Sequence, residues 1–432
     1  MELVNIDNNY VGYKIPIYPT EEQKKIFEDY FNTCRAVYNL GIEIQENHYK
    51  DFLDRKCKYK TFTYIGIRNE ISRLKKTDKY AWLDKYNNDT ITIVVKDVIN
   101  AYKMFFEKNC NYPRFKSKKN YHKQFPIRAD RLSIENNRVR ISSIGYVDCY
   151  NDIDYIIGNS NKSATLQNYI HYSNPRVEYD GCKYYLSLTI PRDDNNIYII
   201  NSEKKFVCND NWNNKPVSKP VGIDVGCKQH NWIVDSNGNR IDRPDTSKEE
   251  KRVKEYQRKL ARQRKQNTKK MSKRNNSTNE YKHSKRELKN LAKLNKYYKK
   301  ITNKKKNAIY EYANKLISSK PEAVVIEDIR VKEMYIKGAD VLNGIINSAM
   351  LYAVHHIITY KCINNGIPVY KADREFPSSQ LCSICGYRQD IGRKRTYKCP
   401  CCGNIMDRDY NASINLEKLV WKDAITMFYN IG

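Results

Sequence analysis

The chain has 432 residues, enough for two or three domains, and its 78 lysines and arginines outnumber 49 acidic residues to give a formal net charge of +29. A field this positive attracts polyanions, above all the phosphate backbone of nucleic acid. The 13 cysteines are odd in number and several stand outside any pairing pattern, which fits free thiols in a reducing cytosol better than disulfides. The first residues are not basic and lead into no apolar run, so we do not expect a signal peptide. No stretch approaches the roughly 20 apolar residues of a membrane span, so we expect an intracellular chain without a membrane partner.

The amino-terminal part is predicted to be one strand followed by helices. Residues 11–18 predict an edge strand, because Pro16 cannot donate to a ladder. The capping-box pair Thr20 and Gln23 predicts a helix start, and a second helix is predicted to include residues 34–40. A later apolar stripe, beginning at Ile91, predicts an amphipathic helix that packs on the earlier ones.

A short basic loop follows Pro113 and changes the character of the chain. It carries one aromatic residue, Phe115, among four basic residues: Arg114, Lys116, Lys118 and Lys119. Such a loop is suited to clamping a phosphate backbone while the ring stacks on a base, although a solvated surface loop is an equal alternative. Beyond it, alternating runs and an Asp180-Gly181 turn predict antiparallel sheet, followed by an Asn-rich linker.

Two apolar strands are each predicted to carry a carboxylate at an unusual place. Asp224 stands in the run from Pro220 to Gly226, and Glu327 ends the run that begins at Ala323. A buried carboxylate is costly unless a cation or a hydrogen-bond donor neutralises it. Each acid therefore indicates a metal ligand, and each supports the other.

A basic stretch between these strands, residues 248–306, holds 24 lysines and arginines against five acids. A charge run is usually a solvated helix face, but one this lopsided repels itself unless a polyanion lies along it. We predict two helical halves that contact nucleic acid, with Lys254, Arg258, Arg262 and Lys265 as contact candidates.

Two Cys-x-x-Cys pairs near the carboxyl terminus, each closed by a glycine, have the spacing of a tetrahedral thiolate zinc site. The predicted ligands are Cys382, Cys385, Cys399 and Cys402, with Cys401 as a bystander. A four-thiolate site has no open position, so we predict one structural Zn²⁺ and expect the reactive groups beside it.

Two further acids, Asp407 and Asp409, follow the second pair directly. Both are candidates to complete a metal site with Asp224 and Glu327. Asp409 stands at the predicted start of a helix, where its side chain points back toward the sheet edge. Asp407 is closer to the cysteines, so we expect it to hold Arg408 or a loop amide.

The order of these parts is similar to that of an RNase H-like nuclease of the RuvC type. The individual motifs resemble those of one family, TnpB, the OrfB-type protein of bacterial insertion sequences and a relative of compact type V CRISPR effectors. The resemblance spans nearly the whole chain and is carried by Tyr13–Gln23, Cys34–Asn39, Pro113–Lys118, Gly222–Gly226, Ile326–Asp328, Ser378–Cys382 and Asp407–Ala412.

This resemblance implies an α+β multidomain protein with a RuvC-like α/β nuclease domain, a zinc-finger insertion, a small wedge β-barrel and a helical recognition lobe. The implied partition is a first wedge strand at 1–19, the helical lobe at 20–110, the barrel at 111–195, a linker at 196–217 and the nuclease domain at 218–432, with a basic helical insertion at 245–319 and the zinc finger at 378–404.

The resemblance also implies an RNA-guided DNA endonuclease of the bacterial or archaeal cytosol, associated with the nucleoid. A guide RNA from the same transposable element would pair with double-stranded target DNA beside a short motif. The catalytic residues would be Asp224, Glu327 and Asp409, and three such carboxylates can hold two Mg²⁺ ions, or Mn²⁺, for in-line attack on phosphate.

Two alternatives stay open on the sequence. One is a CRISPR effector with the same machinery, which the short amino-terminal lobe disfavours. The other is a DNA-binding accessory protein of transposition that performs no guided cleavage, which a magnesium-dependent cleavage assay distinguishes.

Overall fold

A computed structural model of the chain describes residues 2–3, 10–58, 63–118, 121–135, 137–149, 173–191, 198–200, 206–208, 218–272, 283–329, 331–392 and 394–429. Lys119 and most of the predicted linker lie outside the described residues.

The helices, in chain order, are Glu21–Leu53 (α1), Tyr64–Leu74 (α2), Asn88–Phe106 (α3), Ser247–Ser272 (α4), Lys285–Ser318 (α5), Asp340–Ala349 (α6), Leu351–Asn364 (α7) and Arg408–Tyr429 (α8). The strands are Glu2–Leu3 (β1), Tyr10–Tyr18 (β2), Lys123–Pro126 (β3), Leu132–Glu135 (β4), Arg138–Ile141 (β5), Gly145–Cys149 (β6), Ser173–Tyr179 (β7), Tyr184–Pro191 (β8), Tyr198–Ile200 (β9), Phe206–Cys208 (β10), Val221–Val225 (β11), Ile233–Asp235 (β12), Arg240–Ile241 (β13), Val324–Ile326 (β14), Val369–Lys371 (β15), Thr396–Lys398 (β16) and Ile405–Asp407 (β17). The chain divides into an amino-terminal unit, residues 9–194 with 200–206, and a carboxy-terminal unit, residues 1–8, 195–199 and 207–432.

The amino-terminal unit contains a seven-stranded antiparallel sheet in the order β3-β7-β8-β2-β6-β5-β4. The predicted Asp180-Gly181 hairpin is confirmed, because it joins β7 to β8. The prediction that β2 is an edge strand is wrong, since β2 lies between β8 and β6. Pro16 is tolerated there because, among the described residues, β6 pairs only with Ile17 and Tyr18. No described pairing joins β3 to β4, so closure into a barrel stays a prediction.

Helix α1 corrects the prediction of two separate helices over residues 20–40. The predicted capping box is present at Thr20 and Gln23, and a single helix of 33 residues follows. Two polar residues in its middle do not break it, because Asn32 and Thr33 bond back to the carbonyl oxygens of the preceding turn at 2.9 and 2.8 Å. Gly41 lies against Val98, which lets α3 pack closely on α1.

The carboxy-terminal unit is built on a six-stranded sheet in the order β1-β15-β14-β11-β12-β13. Strands β11, β14 and β15 are parallel, while β12 and β13 turn back antiparallel. Apolar side chains of α5 and α7 pack with this sheet in one core cluster, and Leu416 of α8 packs with Val325 in another. Helices on both faces explain why β14 is apolar at every position. Strand β1 pairs with β15, so residues 2–3 belong to this sheet and not to the predicted wedge strand at 1–19.

One segment, Asp340–Asn364, is long and apolar enough to cross a membrane by length and composition, with a mean hydropathy of 1.3, contrary to the sequence prediction. It is interrupted at Met350, whose backbone has a φ of 51° and divides α6 from α7. The apolar residues Leu351, Val354 and Ile358 are buried in the sheet core. A buried core helix of a soluble fold can have the same length and apolar composition.

At Gly222 in β11, the backbone of α8 lies directly against the strand. A Cβ atom there would lie 2.0 Å from the carbonyl oxygen of Ser413 and 2.4 Å from the amide nitrogen of Glu417. Both atoms are backbone, so no side-chain rotation can relieve the overlap. Only glycine permits this packing of helix on strand.

Gly222→Ala is therefore expected to lower the free energy of unfolding by about 3 kcal/mol or to prevent the carboxy-terminal unit from folding. Gly12→Ala is the matched control, because a Cβ at that strand position meets nothing within 4 Å. The control should change stability by less than about 0.5 kcal/mol. Thermal unfolding of both variants measures the difference, and equal effects would contradict the packing described here.

Candidate functional site

Two parallel strands deliver the first two acids to one edge of the carboxy-terminal sheet. Strands β11 and β14 pair in register, with Ile223 opposite Ile326. Asp224 and Glu327 are the next residues along each strand, so both carboxylates lie at the carboxyl ends of neighbouring strands. Ligand sites of open α/β sheets form at this edge.

Helix α8 brings the third acid, because it packs on β11 and carries Asp409 in its first turn. Asp407 has a different function. Its Oδ1 atom accepts the backbone N–H groups of Asp409 and Tyr410 at 3.1 and 3.0 Å, which makes it the amino-terminal cap of α8. Of the two acids, Asp409 is the one whose carboxylate is not used to cap the helix.

The charges of these acids act on one another, although among the described residues their carboxylate oxygens do not all lie within 4.8 Å of each other. Burial raises the pKa of Asp224 well above its ordinary value, and the charges of Glu327 and Asp409 raise it further. Burial likewise raises the pKa of Glu327, against the hydrogen bond from Ser378. Carboxylates that repel one another away from water are stabilised by a bound cation.

Cationic and amide groups surround Asp409. Arg395 and Arg408 each lie 3.5 Å from one of its carboxylate oxygens. The side-chain amide of Asn231 lies 3.5 Å from Asp409 and 3.4 Å from Asp407. The pKa of exposed Lys228 is lowered by partial burial and by the charges of Arg395 and Arg408, which places its charge in the same field. The site thus combines carboxylates for a metal with cations for an anionic ligand.

Ser378 holds Glu327 and connects it to the cysteine-rich segment. The buried Ser378 hydroxyl donates to Glu327 Oε1 at 2.6 Å, and its carbonyl oxygen accepts from Asn415 Nδ2 of α8 at 2.8 Å. Asn411, also on α8, donates to the Leu381 carbonyl at 2.6 Å and accepts the Ser383 N–H at 2.8 Å. The helix that carries Asp409 is therefore bonded to the segment that begins the first Cys-x-x-Cys pair.

The four predicted cysteines converge. The Sγ atoms of Cys382, Cys385, Cys399 and Cys402 all lie within 4.8 Å of one another and could hold a metal ion. Cys382 Sγ lies 3.6 Å from Cys402 Sγ, and Cys385 Sγ lies 3.5 Å from Cys399 Sγ. Each pair ends in a glycine with positive φ, 76° at Gly386 and 71° at Gly403, which allows the chain to turn back over the sulfurs. Cys401 is exposed and stands outside the cluster.

The predicted nucleic-acid contacts divide into exposed and partly buried residues. On α4, the side chains of Lys254, Arg258, Arg262 and Lys265 are all exposed, while Val253 and Leu260 are buried against α5. In the basic loop Arg114 and Lys118 are exposed, but Lys116 is partly buried.

Sequence reasoning missed several residues of the site: Lys228, Asn231, Ser378, Arg395, Asn411 and Asn415. It named Arg408 as one possible partner of Asp407, but Asp407 accepts backbone amides and Arg408 lies beside Asp409. Ser378 and Asn411 stand in motifs quoted for the resemblance, but no local pattern indicates that one contacts Glu327 and the other contacts Ser383. These contacts depend on tertiary packing alone.

Two family models match the chain. The Cas12f1-like TNB domain matches residues 352–416, and the helix-turn-helix domain of the OrfB and IS605 type matches residues 10–53. A protein of Streptomyces pristinaespiralis named "Putative RNA-guided DNA endonuclease" is 24% identical over 94% of this chain and 88% of its own length. A "TnpB-like protein" of Acanthamoeba polyphaga mimivirus is also 24% identical, over 94% of this chain and 72% of its own length.

The chain is similar to TnpB-like proteins over most of its length.

A solved structure of a Cas12f1, guide RNA and target DNA complex is similar over 94% of this chain and 98% of its own, at 14% identity and a TM-score of 0.44. The helix-turn-helix match covers β2 and α1, which form one strand and one continuous helix here.

The cysteine geometry gives a direct test. Cys402→Ser is expected to lose the bound metal and to lower the unfolding temperature of the protein, because a structural metal contributes to folding. Cys401→Ser should keep both, since its thiol lies outside the cluster. Elemental analysis of the purified variants, with thermal unfolding, measures the effect. Metal loss from Cys401→Ser alone would show that the ligand register is shifted.

Proposed function

We propose that this TnpB-like protein is an RNA-guided, Mg²⁺-dependent DNA endonuclease, encoded by a transposable element, that cuts DNA beside a short target-adjacent motif. The observation that carries the proposal is the gathering of Asp224, Glu327 and Asp409 at one sheet edge. The relative from Streptomyces, which aligns with nearly the whole chain, bears the name of an RNA-guided DNA endonuclease.

The sheet supports a RuvC-type assignment of the carboxy-terminal unit. Three antiparallel strands, β11 to β13, are followed by parallel β14 and β15, with helices between, and the acids lie on β11, after β14 and at the start of α8. This is the order expected of the RNase H-like arrangement.

The donor set of the site fits hard divalent cations. Carboxylate oxygens are the ligands that Mg²⁺ prefers, and bound Mg²⁺ would activate a water and stabilise the leaving oxygen of a phosphodiester. Ser378 orients Glu327 for this role, and Asn231 restrains Asp409 beside Asp407. Arg395, Arg408 and Lys228 would attract the phosphate and balance the charge of the acids.

The cysteine cluster fits Zn²⁺. Four sulfurs about 2.3 Å from a tetrahedral zinc lie about 3.8 Å apart, close to the observed 3.5 and 3.6 Å. Four thiolates leave no open position, so we assign the ion a structural role. We call the segment that carries the four cysteines, residues 382–402, the knuckle. Once it holds its ion, its hydrogen bonds through Ser378, Asn411 and Asn415 would keep α8 and Glu327 in place.

The basic hairpin of α4 and α5 supports an RNA or RNA–DNA partner. Among the described residues, none of its four candidate side chains, Lys254, Arg258, Arg262 and Lys265, has a carboxylate within 4.0 Å. Exposed cations without partners attract phosphates and release their counterions. We propose that the guide RNA comes from the same element, as sequencing of copurifying RNA would show.

The site residues are tested by measuring cleavage of a target DNA that matches the copurifying guide RNA. Asp224→Ala, Glu327→Ala and Asp409→Ala are each expected to bind target DNA with wild-type affinity but to abolish Mg²⁺-dependent cutting, because binding rests on other surfaces.

Asp407→Ala serves as the control for this experiment. It should retain cleavage while losing about 1 kcal/mol of stability with the helix cap, and Asp407→Asn should restore that stability. A cutting Asp409→Ala beside a folded but inactive Asp407→Ala would reverse the assignment. A wild-type protein that binds but never cuts would favour the accessory DNA-binding alternative.

A second prediction concerns the hairpin. Replacing Lys254, Arg258, Arg262 and Lys265 by glutamine should weaken RNA binding for all sequences and flatten its salt dependence by roughly 0.7 per lost contact. Lys259→Gln on the same helix is the control, because Glu255 already pairs with Lys259 at 2.6 Å. Affinity titrations over a range of salt concentrations measure both, and an unchanged slope in the fourfold variant would exclude this surface.

A further inference from the structure

A cationic cleft lies within the amino-terminal unit and contains none of the acids described above. Helices α1 and α3, the loop after Pro113 and strands β3 and β7 contribute to its walls. The lining residues are Cys34, Arg35, Val94, Asp97, Lys116, Tyr121, His122, Gln124, Pro126 and Arg176.

The charges that line this cleft do not balance. Arg176 forms a bidentate pair with Asp97, with both N···O distances at 2.8 Å, and so uses the one carboxylate of the lining. Lys116 and Arg35 have no carboxylate within 4.0 Å among the described residues. Burial lowers the pKa of Lys116, whose Nζ atom lies 3.6 Å from the centre of the Tyr38 ring. Two positive charges thus lie in the cleft without a carboxylate partner of their own, although the charge of Asp97 also acts on Lys116.

Two hydrogen-bonding atoms in the cleft are also unsatisfied. By distance and angle, Arg35 Nε and the Tyr121 hydroxyl are buried and have no hydrogen-bond partner among the described residues, although the electrostatics of Tyr121 include a weak hydrogen bond from the Arg35 side chain. They lie close together, because the Arg35 guanidinium is 5.8 Å from the centre of the Tyr121 ring. Buried donors without partners are uncommon and costly. The Tyr121 hydroxyl can accept from Arg35 and still donate its own proton, so both groups keep a proton for an acceptor ligand.

The position of Lys116 is fixed by the fold. Its backbone N–H donates to Asn39 Oδ1 at 2.7 Å, and its carbonyl oxygen accepts from Asn39 Nδ2 at 3.1 Å. Asn39 belongs to α1, the helix that also carries Arg35. The two cations are therefore placed by one rigid element, which is the arrangement of a preorganised binding site.

We propose that this cleft binds one phosphate of a nucleic-acid backbone. An anion with only acceptor oxygens matches the two free donors and the Lys116 ammonium. The space inside the cleft admits one oxygen-sized group, so a phosphate oxygen can enter from the open mouth and a stacked base cannot. That the bound anion belongs to a nucleic acid rests on the proposed function. That the cleft binds an anion does not.

The test uses full-length protein with Lys116→Met, Arg35→Gln and Tyr121→Phe, and with Lys25→Met as a matched control, since Lys25 is exposed on the same helix as Arg35. Binding is measured for a single-stranded RNA and for a duplex DNA over a series of KCl concentrations. Lys116→Met should weaken binding about tenfold and reduce the salt slope by about 0.7 for RNA or about 0.9 for duplex DNA. Loss on RNA alone identifies an RNA phosphate, and loss on duplex alone identifies a DNA phosphate.

Stability without nucleic acid separates binding from structure. Removing a partly buried charge that has no carboxylate partner relieves its desolvation, so Lys116→Met should unfold at or above the wild-type temperature. Inorganic phosphate should raise the unfolding temperature of the wild type and of Lys25→Met more than that of Lys116→Met or Arg35→Gln. The proposal is overturned if Lys116→Met keeps wild-type affinity and salt slope for both nucleic acids, or if it is destabilised while phosphate protects it fully.

The outcome is distinguishable from failure of the proposed function. If the wild type shows no guided cleavage but Lys116→Met still loses phosphate protection, the cleft stands and the endonuclease proposal fails. If the wild type cuts and Lys116→Met matches it in affinity, salt slope and phosphate protection, the endonuclease proposal stands and the cleft proposal fails.

Discussion

The close packing of α8 on β11 is the constraint on which the carboxy-terminal unit depends. Without a side chain at Gly222, the helix backbone contacts the strand directly, and its first turn lies beside the ends of β11 and β14. Asp409 is thereby brought to Asp224 and Glu327, which are more than 80 residues away in sequence. A residue with a Cβ atom would push the helix outward and separate the acids. The site is thus a consequence of backbone packing as much as of its acidic side chains.

The acids repel one another, and the fold supplies restraints that keep them together. Asp407 caps α8, Ser378 holds Glu327, and Asn411 and Asn415 bond the helix to the cysteine segment. Most of these bonds join α8 or Glu327 to the knuckle, so the two proposed metal centres are mechanically connected. The structural ion would act on the site through hydrogen bonds, without contacting substrate.

The positive charge of the chain is distributed over surfaces with different physical properties. The α4 face is solvent-exposed, so its attraction for phosphate is screened by salt and suited to many weak contacts. The cleft around Lys116 is partly buried, so one contact there is screened less and depends on geometry. If both surfaces bind phosphate as proposed, the α4 face would supply many weak contacts and the cleft would supply one contact of fixed geometry.

The sequence by itself determined the parts whose signals are local. The two Cys-x-x-Cys pairs, the Thr20 capping box and the Asp180-Gly181 hairpin follow from spacing and backbone preference over a few residues, and the structure has each of them. Asp224 and Glu327 were found because a carboxylate in an apolar run conflicts with burial. Tertiary structure alone decided that β2 is central, that α1 is continuous, that Lys116 turns inward and that Ser378 contacts Glu327. These features depend on contacts between residues far apart in the chain, and no local pattern records which distant surface a side chain will meet.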